Sequence, residues 1–333
     1  MTNKRVVILH EPISASPRED EEDLFIAIES VRRVLQELDY QTTEVPFSLN
    51  LEKAAKTLLD SPPLFVFNLV ETVADRGGLS FLACALLERL QLSFTGNPSP
   101  AMFLTSNKIV TKKLLSRFLI PTPPWVSHPE DQDFIPGEPY IIKPISEDAS
   151  IGLDQESLLH SNSYDSLRHL ISRKAAAFQT GFFAEKYIEG REFNVSLLGS
   201  KRHPHILPIA EMHFQDYAEK KLVKILDYDS KWNKESFQYH HTIPHFDFPQ
   251  EDQLLVAEIN RLVLQCWSLF ELNGYARIDL RVDAQGRPWV IEINANPCLS
   301  PDSGLVMAAD RAGLSYRELI RRITAALNEV PYG

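Results

Sequence analysis

Short apolar runs alternate with helical periodicities over the first hundred residues. Val6-Val-Ile-Leu9 reads as a buried strand, and after an acidic loop Phe25, Ile28, Val31, Leu35 and Leu38 recur at helical spacing within Leu24 to Leu38. Leu64 to Val70 reads as a second buried strand and Leu79 to Leu90 as a second helix. Strand, helix, strand, helix in that order predicts a parallel α/β sheet that ends near residue 100. Ser106 is placed to cap a helix running through Phe118, which stops at Ile120-Pro-Thr-Pro-Pro124, and a Pro-rich acidic connection follows to Pro139. Strands are predicted at Tyr140 to Lys143, Phe182 to Tyr187, Glu192 to Leu198 and His205 to Met212, with a helix near Asp165 to Ala177 between the first two. A helix from about Asp252 to Phe270 ends at Asn273-Gly274, a favourable C-cap. No internal repeat or low-complexity tract interrupts the pattern.

The next stretch, ARIDLRVDAQGRPWVIEINANP at 276–297, holds two strand-like runs around the turn former Asp283-Ala-Gln-Gly286, hence a β-hairpin. Centring the turn between Gln285 and Gly286 sets Asp279 opposite Glu292 and Arg277 opposite Asn294. Because side chains alternate, Ile278, Leu280 and Val282 share the core face with Ile291 and Ile293, while Arg277, Asp279, Glu292 and Asn294 share the other. Hard oxygen donors gathered this way suit Mg²⁺, with Arg277 beside them to hold negative charge. An exposed face with cross-strand ion pairs is the structural alternative.

The chain has 333 residues, 44% of them hydrophobic, enough for two or three domains. A net charge of -11 argues against general affinity for nucleic acid or an anionic membrane. Cys84, Cys266 and Cys298 are too few and scattered for a disulfide framework or a zinc site, no basic-then-apolar leader is recognised, and a cytoplasmic location is expected. The strongest apolar run, Leu64 to Val70, is seven residues long against the about 20 that a bilayer span needs.

Other candidate chemistry is weaker taken singly. Lys143 closes a strand and precedes the small-residue loop Pro144 to Gly152, which suits phosphates as well as plain surface. Glu185-Lys-Tyr-Ile-Glu-Gly190 offers a backbone edge to a purine or is an ordinary turn. Lys231-Trp232 lies in Gln215 to His241, a polar stretch that fits no regular element and reads as a lid or as surface loop. His240, His241 and His245 lack partners at metal-ligand spacing and read as solvated loop histidines.

Taken in order, Lys108, Lys143, Glu185, Glu192, Lys231, Arg277, Asp279, Glu292 and Asn294 make the chain resemble the ATP-grasp superfamily, and within it the D-alanine:D-alanine ligase family, from Leu64 to about Ile323. The matching segments are Phe67-Asn-Leu-Val-Glu71, Phe94-Thr-Gly96, Lys143-Pro144, Glu185 to Glu192, Lys231-Trp232 and Arg277 to Pro297. The resemblance implies an ATP-grasp fold: an N-terminal parallel α/β domain at 1–102, a small central α+β domain at 103–186 and a C-terminal α+β domain at 187–333. It implies that Lys108, Lys143 and the loop residue Ser150 meet ATP phosphates, that Glu185 with the backbone of Lys186 and Ile188 holds adenine, and that Glu192 holds ribose. Lys231 closes over the γ-phosphate; Asp279, Glu292 and Asn294 bind Mg²⁺, with Mn²⁺ able to substitute. Arg277 and the Cys298 N–H stabilise an oxyanion, and Ser303 meets the acceptor's carboxylate. The implied reaction joins a small-molecule carboxylate to an amine through an acyl phosphate, and a homodimer is allowed.

The chain departs from that family in three places around the substrate. The loop usually written GSS.G is Asp148-Ala-Ser-Ile-Gly152, so Ala149 stands where a serine fixes D-alanine. Trp232 replaces a tyrosine after the lid lysine, and Cys298 replaces the glycine of a Pro-Gly pair. The N-terminal stretch Glu11 to Asp23 is longer and more acidic, and no glutamate in it is singled out as the amine holder. The expectation is a retained nucleotide engine with a rebuilt amino-acid pocket: a carboxylate–amine ligase for an amino acid or related molecule. The alternatives are an authentic D-alanine:D-alanine ligase and a catalytically inactive nucleotide-binding regulator. A Rossmann dehydrogenase is disfavoured because no Gly-rich turn follows Val6 to Leu9.

Overall fold

The computed structural model describes residues 4–14, 17–127, 134–147, 150–160 and 162–328. Ala149 therefore lies outside the described residues. The first sheet is parallel, in the order Gln41–Pro46, Arg5–His10, Phe65–Asn68. Helices Glu19–Glu37, Leu51–Asp60 and Phe81–Arg89 accompany it. The strand Gln41–Pro46 and the helix Leu51–Asp60 are absent from the sequence reading. That strand is an edge with Val45 as its sole buried residue, so it carries little apolar signal.

Helix Lys108–Arg117 begins one residue later than expected on its cap. Asn107, not Ser106, accepts from the amides of Ile109 and Val110 at 3.1 Å, and Ser106 instead closes the preceding helix Ser99–Thr105. The second sheet is antiparallel, ordered Trp125–Val126, Phe182–Lys186, Pro139–Pro144, Leu158–His160. Helix Tyr164–Phe178 packs on it through Leu167 and Leu170, against Tyr140, Ile142 and Ala184.

The large sheet follows the path Thr242–His245, Ala210–Phe214, Arg191–Ser200, Gly274–Val282, Pro288–Asn294, all antiparallel. The single strand expected at His205 to Met212 is two, His203–Ile206 and Ala210–Phe214, both on the same edge of Arg191–Ser200 and parted around Pro208. One face of this sheet is core: Phe193, Val195, Ile278, Leu280 and Val290 pack with Ile259, Leu262 and Val263 of helix Gln253–Leu269.

The region Gln215 to His241 is not irregular throughout, for it contains helices Tyr228–Lys231 and Phe237–His241. Nor are the three histidines loop residues. His240 and His241 end the second of these helices, and His245 sits in a strand with its ring stacked on His213.

Asn97 fastens the first unit to the hairpin of Gly274–Val282 and Pro288–Asn294. Its side-chain amide donates to the carbonyls of Tyr275 (2.7 Å) and Ala295 (2.6 Å) and accepts from the Asn273 amide (2.7 Å). The buried polar groups are thus satisfied across the junction. Gly96 and Gly274 meet there: a Cβ on Gly274, whose φ is +76°, would fall 3.0 Å from the Gly96 Cα.

Candidate active site

The hairpin places Asp279 opposite Glu292 and Arg277 opposite Asn294, as the alternation requires, but the register slips by one residue just beyond. Leu280 pairs with Val290, so Ile291 is the extra residue of a β-bulge. Ile291 is therefore not a core residue; Val290 takes that place, and Ile291 lines the cleft. Asp279 and Glu292, paired directly before the bulge, share the cleft side, and the bulge moves Val290 to the core face in place of Ile291. Asp279 is 4% exposed and held by three hydrogen bonds: Arg277 Nε and Nη2 donate at 2.8 and 2.9 Å, and Asn194 Nδ2 at 2.9 Å. The Asn294 side-chain oxygen accepts from the Asn296 amide at 2.9 Å.

Three lysines converge on this platform. Lys108, at the start of its helix, lies 2.9 Å from Glu292 and donates to the Glu147 carbonyl at 2.6 Å. Lys143, in the second sheet, and Lys231, at the end of its short helix, line the same narrow cleft. Burial would raise the pKa of Glu292, but Lys108, Lys231 and Lys143 outweigh it and hold the carboxyl below its usual range. Burial lowers the pKa of Lys231, and the nearby Arg277 pushes the same way.

Glu185 is not free to meet a base. Its carboxylate is ion-paired with Lys143 at 2.8 Å and with Lys112, which is 1% exposed. Burial opposes ionisation of Glu185, and the two lysines overcome it, leaving its pKa lowered. Lys112 also donates to Thr122 Oγ1 at 2.8 Å. Glu192 pairs with buried Arg281 at 2.7 Å; burial raises its pKa against that cation. Arg281 further donates to the carbonyls of Ile188 (2.9 Å) and Lys224 (2.7 Å). Lys112 and Arg281 are the charge partners that sequence reasoning missed. Arg281 is two residues beyond Asp279 on the same strand face, a signal the alternation already carried.

At the hinge, the Lys186 amide donates to the Pro124 carbonyl at 2.8 Å, and its ammonium pairs with Glu138 at 3.1 Å. A Cβ at Gly190 would fall 2.0 Å from the Val282 carbonyl oxygen, so the turn closes against the hairpin only with glycine. Ile141, Leu153, Ile188, Ile225 and Ile291 give the cleft apolar walls, and the three lysines, Asp279, Glu292, Glu185, Glu192 and Arg281 line it with charge.

The segment before Lys231 is docked on the second sheet's loop. Ser150 Oγ donates to the Leu226 carbonyl at 2.6 Å, the Tyr228 amide to the Leu153 carbonyl at 3.1 Å, and Gln155 Nε2 to Asp227 at 2.7 Å. Ser150 lines the cleft, but its hydroxyl is spent on this fastening. With the segment docked in this way, the cleft holds a cavity of about 70 Å³, below the few hundred of a typical ligand site.

Beyond the lysines lie two wider cavities, of about 440 and 410 Å³, which share Asp23, Glu71, Trp232 and Cys298 in their walls. Arg277, Asn294 and Ser303 line the first. Ser303 precedes helix Gly304–Arg311, and its Oγ is buried with no hydrogen-bond partner among the described residues. The Cys298 thiol donates to Asp23 at 2.8 Å; burial, with Glu71 and Asp23, raises its pKa and keeps it a thiol. Glu11 lines the second cavity, at the end of strand Arg5–His10, and accepts from the Glu71 amide at 3.2 Å and Thr72 at 3.4 Å. Burial pushes its carboxyl up to about 7. The sequence singled out no residue of that stretch; its position just past the carboxyl end of a parallel strand was the available signal.

The model of the D-ala D-ala ligase C-terminus matches residues 131–325. An uncharacterized protein, y4sG, of Sinorhizobium fredii is 28% identical over 306 residues, 89% of this chain and 85% of its own. The D-alanine–D-alanine ligase of Methylococcus capsulatus is 30% identical over 263 residues, 78% of this chain and 77% of its own. The solved D-alanine–D-alanine ligase from Bacillus anthracis complexed with ATP superposes with a TM-score of 0.72 at 20% identity, over 97% of each chain, a likeness of fold. The chain belongs to the D-alanine–D-alanine ligase family of the ATP-grasp superfamily, ATP-dependent ligases that form carbon–nitrogen bonds.

Proposed function

We propose that this ligase activates a small carboxylate with ATP and Mg²⁺ and passes the acyl group to an amine, with D-alanyl-D-alanine a poor product. The observation that carries the reading is that Lys108, Lys143 and Lys231 line one cleft with Asp279 and Glu292 and with apolar side chains such as Ile141, Leu153 and Ile188, while Asn294, paired with Arg277 on the same hairpin, lines the adjoining cavity. Such apolar walls suit a planar base, the lysines suit a polyphosphate, and the three oxygen donors suit a hard cation that keeps water and phosphate ligands. The Lys186 carbonyl and the Ile188 N–H are the hinge groups assigned to adenine, Glu185 acting through the lysines it balances. Glu192 is assigned to ribose and Ser150 to the phosphate loop. The three sheets fall one to each of the units 1–102, 103–186 and 187–333, which we take as the domains. No helix among the described residues is long and apolar enough to cross a membrane. With three free thiols, we place the protein in the reducing cytoplasm.

Asp279, Glu292 and Asn294 would hold Mg²⁺, and the chemistry it would supply there is neutralisation of charge during phosphoryl transfer. Lys108, Lys143 and Lys231 hold the phosphates while the donor carboxylate attacks the γ-phosphorus, expelling ADP and leaving an acyl phosphate. The acceptor amine then attacks the acyl carbon. Arg277 and the Cys298 N–H meet the oxyanion, Ser303 meets the acceptor's carboxylate, and inorganic phosphate leaves. Retention of Arg277 with all three oxygen donors speaks against an inactive regulator. Replacement of the substrate-side tyrosine by Trp232 and of the glycine by Cys298 speaks against D-alanine as the preferred substrate. The test is phosphate release across pairs of carboxylates and amines. Release should need Mg²⁺ and both partners and be weak with D-alanine alone; equal release in excess chelator would overturn the reading.

A further inference from the structure

We infer that the acceptor is an amino acid with a bulky apolar side chain, seated on the outer two strands of the large sheet; this rests on the ligase reading above. Residues directly opposite in a sheet share a face. Asp279 pairs with Glu292 on one side and with Asn194 on the other, Asn194 pairs with Ala210, and Met212, two residues on, pairs with Pro244. One continuous face is therefore polar over the hairpin and strand Arg191–Ser200, and over the outer two strands it presents Ala210, Met212 and Pro244, with Thr242, whose hydroxyl is hydrogen-bonded to Tyr217, beside them.

The cavity of about 440 Å³ stands over that transition. Its polar lining holds Arg277, Asn294 and Ser303 together with the acidic Asp23, Glu71 and Asp302, and its apolar lining includes Met212, Pro244, Phe246, Trp232, Tyr239 and Met307. Ser303, with its buried hydroxyl unpartnered among the described residues, and Met307, one turn along the same helix, put a carboxylate-binding end and an apolar wall side by side. The cavity is not the product of a raised lid, since the segment before Lys231 is docked through Ser150, Tyr228 and Gln155. The single methyl of alanine would leave most of this apolar space unfilled, and wall atoms facing a void lose their dispersion partners. An added methylene in a pocket of this kind is worth roughly 10-fold or more in selectivity.

The test is titration calorimetry of the full chain with a non-hydrolysable ATP analogue and Mg²⁺, using both enantiomers of alanine, leucine and phenylalanine. In at least one configuration, leucine or phenylalanine should bind at least 10-fold more tightly than alanine. Met212→Asp should erase that ratio. Met307→Ser, a milder change in a helix, should reduce it several-fold and keeps the test sound if the aspartate variant does not fold. Alanine binding as tightly as the larger residues, no binding by any of them, or a ratio untouched by the variants that fold would overturn the inference. ADP formation in parallel samples, with ATP in place of the analogue and a carboxylate donor added, separates the two readings. ADP with alanine as the preferred partner leaves the ligase and removes the apolar acceptor. Tight leucine or phenylalanine binding with no ADP from any pair does the reverse.

Discussion

Arg277 grips Asp279 through two parallel hydrogen bonds, Nε to Oδ1 at 2.8 Å and Nη2 to Oδ2 at 2.9 Å. The two residues are neighbours on one face of the same strand, and each balances the other's charge. On the proposed function, a divalent cation arriving at Asp279 would compete with the guanidinium, and the arginine it frees would be available to charge developing on the acyl carbon's oxygen. Metal binding and oxyanion stabilisation would then be coupled through one ion pair.

Arg277→Ala should accordingly separate two quantities that usually fall together. Mn²⁺ affinity, read by electron paramagnetic resonance, should rise because Asp279 loses its competitor. Amide formation should fall by roughly 100-fold or more, the usual scale for losing an oxyanion contact. A fall in both would mean that Arg277 only builds the metal site.

The buried triad of Lys112, Glu185 and Lys143 yields a stability prediction. Lys112→Met leaves Glu185 buried with one cation in place of two, and breaking a buried pair costs about 3 kcal/mol or more. Urea unfolding should show that loss, and Lys112→Met with Glu185→Gln should recover part of it, since the uncompensated charge is gone. Wild-type stability of the single variant would contradict the account.

Much of the site was legible because a strand's alternation is rigid. Arg277, Asp279, Glu292 and Asn294 could be put on one face from spacing alone, and the order of lysines and glutamates supplied the fold. Arg281 lay on that same face and was missed because its partner, Glu192, comes from a strand 89 residues away in sequence, a pairing that no local pattern encodes. Lys112 was missed for a related reason: a lysine on a helix is ordinarily solvated, and only the sheet packed over it makes it a buried counterion. The bulge at Ile291 was equally hidden, since an inserted residue changes register without changing composition. Glu11 had a position but no motif.

Glu11 gives a pH prediction with a definite sign. Its carboxyl is pushed up to about 7 by burial, so it is mostly neutral below that pH and charged above it. The stability that neutrality contributes is lost as pH rises through 7, while the attraction for an ammonium is gained there. If Glu11 holds the donor's amine, KM for an amino-acid donor should fall as pH rises from 6 to 8 (about tenfold over those roughly two units). Glu11→Gln should flatten that dependence and raise KM at pH 8. An unchanged pH profile in the variant would remove Glu11 from the donor site.

The docked segment should behave as a lid. Its hold on the second sheet consists of a few hydrogen bonds, Ser150 to Leu226 among them, and entry of a nucleotide requires these to open. Protease cleavage between 215 and 241 should slow on adding an ATP analogue with Mg²⁺, and Ser150→Ala should speed it in their absence. Cleavage indifferent to nucleotide, with binding shown separately, would count against a lid.

Activation of a carboxylate as an acyl phosphate would leave its trace in the transfer of oxygen. With a donor whose carboxylate carries ¹⁸O, attack on the γ-phosphorus carries one carboxylate oxygen into the phosphoryl group, and it leaves with phosphate when the amine attacks. Mass spectrometry of the inorganic phosphate should therefore find one donor-derived oxygen for each amide formed. Amide formation with unlabelled phosphate would contradict the account.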